Sequence, residues 1–329
     1  MEQEKSIFKR VVDSFKKDGF KKTLYKSFKF IKETGIFSFS NDVRAFWLEN
    51  REIPNFGDML TPYLIEKLTG KKPYLVNKYC YKDHYLIAGS IFNKANKNSI
   101  VFGSGIMRRK EKIKKPKKIL VVRGPLTRKR LIELGYECPK IFGDPALLLP
   151  LLYKSKIDGQ YKKYKVGIIP HFIDYNYVKN QLYKNKGILI INLLNPIEKV
   201  VDDIVRCHIT ISSSLHGLIT SHAYNIPSLW VKFSDNLFGD DTKFYDYLCS
   251  VKIQLYEPLD FRFYVPTPEE IEANFRKKEN LINVDRDIIW RLQKNLLNLW
   301  PLSKNVDMEN IFYKEKEFCF ENKGLKTGK

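Results

Sequence analysis

Eight short apolar runs, separated by segments of helical period, restrict the fold of this chain more than any other feature. Four come early, at Ala45–Leu48, Tyr85–Ala88, Ile100–Phe102 and Ile119–Val122, and four late, at Val166–Ile169, Ile188–Ile191, Ile209–Ser212 and Ser228–Val231. Between them, Met59–Leu68, Leu126–Leu134, Ile197–Val205 and Leu218–Tyr224 read as helices. Strands that are apolar on both faces and alternate with helices belong in a parallel sheet covered on each side. The Lys- and Tyr-rich stretch Tyr153–Tyr164 divides the two series and reads as a linker. The expected fold class is therefore α/β, with two Rossmann-like domains facing a cleft. Residues 43–155 and 156–300 are the two domains, 1–42 a basic helical segment, and 301–329 a tail. A chain of 329 residues suits two such cores.

The amino-terminal segment has its own pattern. Phe8, Val11, Val12 and Phe15 form one helical stripe, and after Gly19 the residues Leu24, Phe28 and Ile31 form another. Lysines flank both stripes. Such a helix suits either an anionic bilayer surface or packing on its own domain with a solvated Lys face. The whole chain carries 58 Lys and Arg against 37 Asp and Glu, a formal charge of +21. That excess suits nucleic acid, an anionic membrane or small anionic substrates, but no recognisable nucleic-acid module is present. The run Arg108–Lys118 holds eight basic residues and one acidic one, and reads as an exposed loop before the strand at Ile119. Cys80, Cys138, Cys207, Cys249 and Cys319 are odd in number and without C-x-x-C spacing. Neither a disulfide framework nor a metal site is suggested. With no signal peptide and no apolar stretch of about 20 residues, the expected setting is cytoplasmic, with peripheral attachment to the inner face of the membrane as the further option.

Four turns at strand ends carry the candidate chemistry. In the first, Asn55, Gly57 and Asp58 precede and open a helix, where Asn and Asp can serve as caps and Gly permits a tight turn. In the second, Gly103-Ser104-Gly105 closes a strand and permits close approach of an anion to the backbone. The third places Arg123 at the carboxyl end of a strand, where open α/β sheets bind their ligands. A guanidinium there can grip a carboxylate or phosphate with two bonds, or form an ordinary ion pair. The fourth, Ser212-Ser213-Ser214-Leu215-His216-Gly217, joins three hydroxyls and a titratable ring to a helix start, which is an anion site with a proton to give.

Taken in order, NFGD at 55–58, GSG at 103–105, VRGPLT at 122–127, FGDPALLLP at 142–150, GIIPH at 167–171 and SSSLHGLITSHAYNIPS at 212–228 resemble the polysaccharide pyruvyltransferase family. The resemblance covers about residues 43–250. It implies a GT-B-like fold of the sialyltransferase type and transfer of pyruvate from phosphoenolpyruvate to a sugar diol as a ketal. It also implies a place in the making of cell-surface polysaccharide such as capsule or exopolysaccharide, on an acceptor that includes lipid-linked sugars. Arg123 and His216 would hold the donor, with Ser212, Ser213, Ser214, Gly217, Gly103, Ser104 and Gly105 around it, and His216 would also give the proton. Some relatives carry Arg where this chain has Ser214. For the base that activates the sugar hydroxyl, Asp58, Asp144 and His171 stand in turns or at strand ends; each Asp is equally suited to capping a helix. Asn55, Gly57, Asp58 and His171 are the acceptor-side candidates. Phosphoenolpyruvate enters as co-substrate and no cofactor or metal is expected. Two other readings stay open: a GT-B glycosyltransferase using a nucleotide sugar, and a non-enzymatic, basic membrane-associated protein.

Overall fold

The computed structural model describes residues 20–39, 41–49, 55–157, 162–182 and 187–304. The stripe Phe8–Phe15, most of the expected tail and part of the expected linker lie outside the described residues. The chain begins with α1 (Phe20–Glu33), β1 (Arg44–Phe46), α2 (Phe56–Thr69), β2 (Tyr74–Leu75), β3 (His84–Leu86), β4 (Ser99–Phe102), β5 (Lys118–Val121), α3 (Pro125–Glu133) and α4 (Leu149–Leu152). It continues with β6 (Tyr164–Ile169), α5 (Tyr175–Leu182), β7 (Ile188–Ile190), α6 (Ile197–Val205), β8 (Cys207–Ser212), α7 (Leu215–Ala223), β9 (Ser228–Lys232), α8 (Thr242–Ser250), β10 (Leu259–Asp260), α9 (Pro268–Lys277) and α10 (Arg286–Asn298). All eight expected strands and all four expected helices are present, with ends shifted by a few residues.

Two five-stranded sheets result, ordered β2-β1-β3-β4-β5 and β10-β9-β8-β6-β7, and every pairing is parallel. Read from its own first strand, each has the order 2-1-3-4-5. In such a sheet the connections leave in opposite directions between the first and third strands, and the space beyond their carboxyl ends is where ligands lodge. The first sheet's strands precede the stretch 153–164 and the second's begin at its end. The sequence reading places the second core within 156–300, but α10 returns to the first half. Gln293 Nε2 donates to the Leu147 carbonyl at 2.8 Å, and Trp300 meets Phe102 edge-on with ring centroids 5.2 Å apart.

The Arg108–Lys118 loop is less free than its charge suggests. Its lysines are exposed, but Glu111, Ile113 and Pro116 are buried. Glu111 accepts from the Met107 N–H and the Asn93 amide, and its own carbonyl accepts from Arg130. In α1 the opposite holds. Phe30 packs toward Tyr79 and its carbonyl accepts from Asn77, while the expected stripe Leu24, Phe28 and Ile31 faces outward and is exposed.

Candidate functional site

The loops leaving the carboxyl ends of the two sheets meet. Phe56, opening α2, donates its N–H to the Leu193 carbonyl beyond β7 at 2.8 Å. One residue on, Gly57 lies against the ring of His216 in the first turn of α7. A Cβ at Gly57 would fall 2.2 Å from His216 Nδ1, so this helix start needs glycine because of what the other half inserts. The far nitrogen, His216 Nε2, faces Asp144 Oδ2 at 3.8 Å, and both atoms are buried without a hydrogen-bond partner. Asp144 acts in two directions at once. Its Oδ1 caps the turn Pro145–Leu148 by accepting from Ala146 N–H at 3.0 Å, while Oδ2 is left to the imidazole.

Electrostatics follow from this burial. His216 is driven down to about 3, by desolvation first and then by the positive charges of Arg123 and Lys243. Its ring is therefore neutral at pH 7 in the free protein. Asp144 is pushed up to about 6 by burial, against its backbone bond and Arg123. Asp58 also rises to about 6 by burial, partly offset by a bond from the Asn55 amide at 3.2 Å. Asn55 precedes α2 but gives it no side-chain cap; its amide goes to Asp58 instead. His171, after β6, falls to about 4 through burial and the charge of Lys243.

Arg123 departs from the expected donor grip. It is 0% exposed, and each of its three guanidinium nitrogens already donates to protein. Nε goes to Asp246 Oδ2 at 3.1 Å, Nη1 to Ser90 Oγ at 2.7 Å, and Nη2 to the Ile106 carbonyl at 2.6 Å. Asp246, in α8, also accepts from Thr127 N–H and Thr127 Oγ1, so one buried carboxylate ties the start of α3 to the second half. Sequence reasoning missed Asp246 because a lone Asp 123 residues away gives no sign of pairing.

The Gly103–Gly105 turn is committed in the same way. Gly103 N–H donates to the Val121 carbonyl and Gly105 N–H to the Gly89 carbonyl, to which Ser104 Oγ also donates. The glycine N–H groups are thus spent on the fold. What the turn supplies is room, since a Cβ on Gly105 would fall 2.4 Å from Arg123 Cζ. Of the three serines, Ser212 Oγ lies within hydrogen-bond distance of two carbonyls, Ser214 at 2.8 Å and Ile169 at 3.1 Å, which share its one proton, and Ser213 Oγ donates to Asp174 and accepts from His171 N–H. They knit the end of β8 to that of β6. Ser214, just before α7, makes no side-chain cap. A Cβ on Gly217 would fall 2.5 Å from Ser212 Oγ, so Gly217 closes the turn on its own strand.

A second residue missed from sequence is Lys243, buried near Arg123, His171 and His216 and shifted down to about 8 by burial first. It stands in α8, a nine-residue helix that buries Phe244, Tyr247 and Leu248 and that the sequence reading did not single out. A groove of about 470 Å³ runs between Met59 and Tyr63 of α2 and the Leu194–Glu198 segment.

A sequence model described as polysaccharide pyruvyl transferase matches residues 11–235. Over 201 residues the chain is 33% identical to "Uncharacterized protein L143" of Acanthamoeba polyphaga mimivirus, a match spanning 59% of this chain and 70% of that protein. No solved structure matches the chain.

Proposed function

The chain belongs to the polysaccharide pyruvyl transferase family, and from that premise we propose that it moves pyruvate from phosphoenolpyruvate onto two hydroxyls of a sugar, closing a cyclic ketal. The observation that carries this reading is the partnerless pair His216 Nε2 and Asp144 Oδ2, 3.8 Å apart where the turns of both sheets converge. A neutral imidazole hemmed in by cations gains its proton when an anion binds beside it. Phosphoenolpyruvate brings that negative charge, so the acid forms as the donor arrives. His216 then protonates the methylene carbon, and Asp144 steadies the imidazolium. A sugar hydroxyl attacks the oxocarbenium-like carbon, phosphate departs, and the second hydroxyl closes the ring. Of the two hydroxyl protons, one replaces that spent on the methylene and the other leaves with phosphate. Asp58, at the mouth of α2 and raised to about 6, is the base for the first hydroxyl, with the groove beyond Met59 receiving the acceptor. Arg123 acts through Asp246 as a positioning residue.

Incubation with phosphoenolpyruvate and a panel of lipid-linked and nitrophenyl hexosides, followed by NMR, tests the reaction. A ketal methyl signal with stoichiometric phosphate is expected. Consumption of a nucleotide sugar, with phosphoenolpyruvate untouched, would replace this reading with a glycosyltransferase.

The exposed row on α1 supports attachment to an anionic membrane face. Leu24, Phe28 and Ile31, with Phe37 and Phe39 beyond the helix, are exposed beside Lys26 and Lys32. Among the described residues no helix is long and apolar enough to cross a membrane. Each Lys near an anionic surface contributes about 1 kcal/mol, and apolar side chains add to it. Replacing Phe28 and Ile31 by Ser should release the protein from phosphatidylserine vesicles without changing turnover on a soluble glycoside. Unchanged vesicle binding would end the membrane role.

A further inference from the structure

The crossover from β4 to β5 is an irregular segment rather than a helix, and Arg108–Lys118 forms most of it. Because the two strands are parallel, it must travel from the carboxyl end of the first sheet back to the amino end. Both ends are fixed. At the start the Arg109 N–H donates to Asp240 Oδ2 at 3.0 Å, and a Cβ on Gly239 would fall 3.1 Å from the Met107 carbonyl, so the segment sets out from the rim where the two halves meet. At the finish the Lys117 N–H donates to the carbonyl of Ser99, the first residue of β4, at 2.9 Å. In between, the Glu111 carbonyl accepts from Arg130 Nε and the Ile113 carbonyl from the Tyr136 hydroxyl, each at 2.9 Å. Glu111, Ile113 and Pro116 are buried, and all eight basic side chains are exposed. Among the described residues only Lys117 of the eight has a carboxylate within ion-pair distance, that of Asp83.

A block of like charges this dense ordinarily stays loose and solvated. Here the backbone is pinned along its course and holds the cations in one file, where they repel one another. The file ends at a hollow of about 570 Å³ lined by Lys115, Lys117, Lys118, Tyr136 and Pro139, with Glu137 as the only carboxylate in its wall. Lysines meet carboxylates, and Tyr and Pro offer apolar faces to sugar rings. A flat bilayer can touch the exposed lysines but does not enter the hollow; a chain of sugars does both. The reaction proposed above makes such a chain acidic, since the ketal keeps the carboxylate of pyruvate and each transfer adds one negative charge to the glycan.

We propose that Arg108–Lys118 is a track for an acidic glycan, running from the rim of the site to the hollow at Tyr136 and holding units that already carry carboxylates while the next is modified. The source of those carboxylates rests on the pyruvyl-transfer reading of the site; the recognition of an acidic glycan does not.

The test uses the full chain and oligogalacturonate, a sugar chain with one carboxylate per unit, beside a neutral galactan of equal length. Wild type should bind the first and not the second, with an affinity that falls as salt rises. In the variant combining Lys112→Gln, Lys114→Gln and Lys115→Gln, affinity should drop about tenfold, the worth of a few exposed ion pairs. Its melting temperature should be unchanged, since all three side chains are exposed. A control combining Lys71→Gln, Lys72→Gln and Lys165→Gln loses the same charge at exposed positions elsewhere and should bind as wild type does. An equal loss in both variants overturns the track as an effect of net charge alone. Undiminished binding in the first variant, or no binding by wild type, overturns it as well. Phosphatidylserine vesicles should be held alike by wild type and the first variant; vesicle affinity that falls along with that for the glycan assigns these lysines to a membrane instead. If wild type fails to use phosphoenolpyruvate, the proposed reaction falls separately, and the oligogalacturonate titrations still decide the track.

Discussion

In the turns that leave the first sheet, glycine stands wherever another group must come close. A Cβ would fall 2.2 Å from His216 Nδ1 at Gly57, 2.4 Å from Pro145 at Gly103, 2.4 Å from Arg123 Cζ at Gly105, and 2.0 Å from the Asp246 carbonyl at Gly124. The turns of the second sheet carry His171, Ser212, Ser213, Ser214 and His216, and Lys243 follows on α8. Both sheets have the order 2-1-3-4-5. One topology has therefore been used twice with different side-chain volume: the first half mainly supplies space, and the second supplies groups that hydrogen-bond or titrate. Function follows from what the turns carry, while the shared order only decides that the turns converge. Asp58 and Asp144 are the exceptions that the first half contributes to the chemistry, and Arg123 is the bolt between the halves.

The sharpest way to break this comparison is to remove the bolt. If Arg123 served only to grip the donor, Arg123→Ala would spare the fold. The structure reverses that expectation, because the variant leaves Asp246 buried without its cation, at a cost of roughly 3–5 kcal/mol. Chemical denaturation should show the loss and transfer activity should vanish with it. Arg123→Lys retains charge but lacks the planar fork that reaches Asp246, Ser90 and Ile106 from three nitrogens, so it too should fail to restore activity. Normal stability and turnover in Arg123→Ala would show that the two halves do not depend on the Arg123–Asp246 pair.

His216→Ala addresses the chemistry with less effect on folding. Turnover, followed as phosphate release, should drop by about 10³-fold, within the range for loss of a general acid. The ligand-free melting temperature should move little, since the ring sits buried with one nitrogen unpartnered. Near-normal turnover would take His216 out of the mechanism and shift attention to Asp144.

Gly57→Ala asks whether space in the first half matters as much as groups in the second. The added methyl must displace the His216 ring or the start of α2. A shift of about 1 Å costs on the order of 100-fold in rate, and the overpacking about 1–3 kcal/mol in stability. The converse change, Gly217→Ala, crowds Ser212 and Ile169 within the second half and should cost stability in the same range. If Gly57→Ala turns over like wild type, the division into space and chemistry is wrong at its central contact.

The strands were legible because parallel strands buried on both faces are apolar throughout. β2 and β10 were not, since two residues carry no period. The turns were legible as places but only partly as roles. Arg123 stands at a strand end as its sequence suggests, yet its partners Ser90, Ile106 and Asp246 are assembled by the fold. Asp144 looked like a cap, and it is one; only three-dimensional contact reveals the second oxygen turned to His216. Lys243 and Asp246 lie in TKFYDYLCS, which matches none of the turns singled out in the sequence, and burial alone gives them meaning.

The smallest effect separates the halves by their titration. In the second half His171, His216 and His222 are held at about 4, 3 and 4, chiefly by burial. A histidine with a depressed value in the folded state contributes stability that is complete above the unfolded value near 6.5 and is lost as pH falls through that region. His84, in β3 of the first sheet, shifts in the same direction. At the site, the first half behaves oppositely. Asp58 and Asp144 are raised to about 6 by burial, so their contribution is complete below the unfolded value of 3.8 and is lost as pH rises through 6. Between pH 4 and 6.5 four depressed histidines, His84, His171, His216 and His222, oppose four raised carboxyls, Asp58, Glu111, Asp144 and Asp174, so the wild-type slope is the difference between two opposed sets. The two halves can then be told apart by single replacements. Asp144→Asn removes a carboxyl that makes stability fall with pH, keeps an oxygen for Ala146 N–H, and should tilt the slope of melting temperature upward. His216→Gln removes a histidine that makes stability rise with pH and should tilt it downward, each by up to about one proton. Melting curves across this window check both slopes, and equal slopes in the two variants would mean that the halves do not titrate in opposite senses at the site.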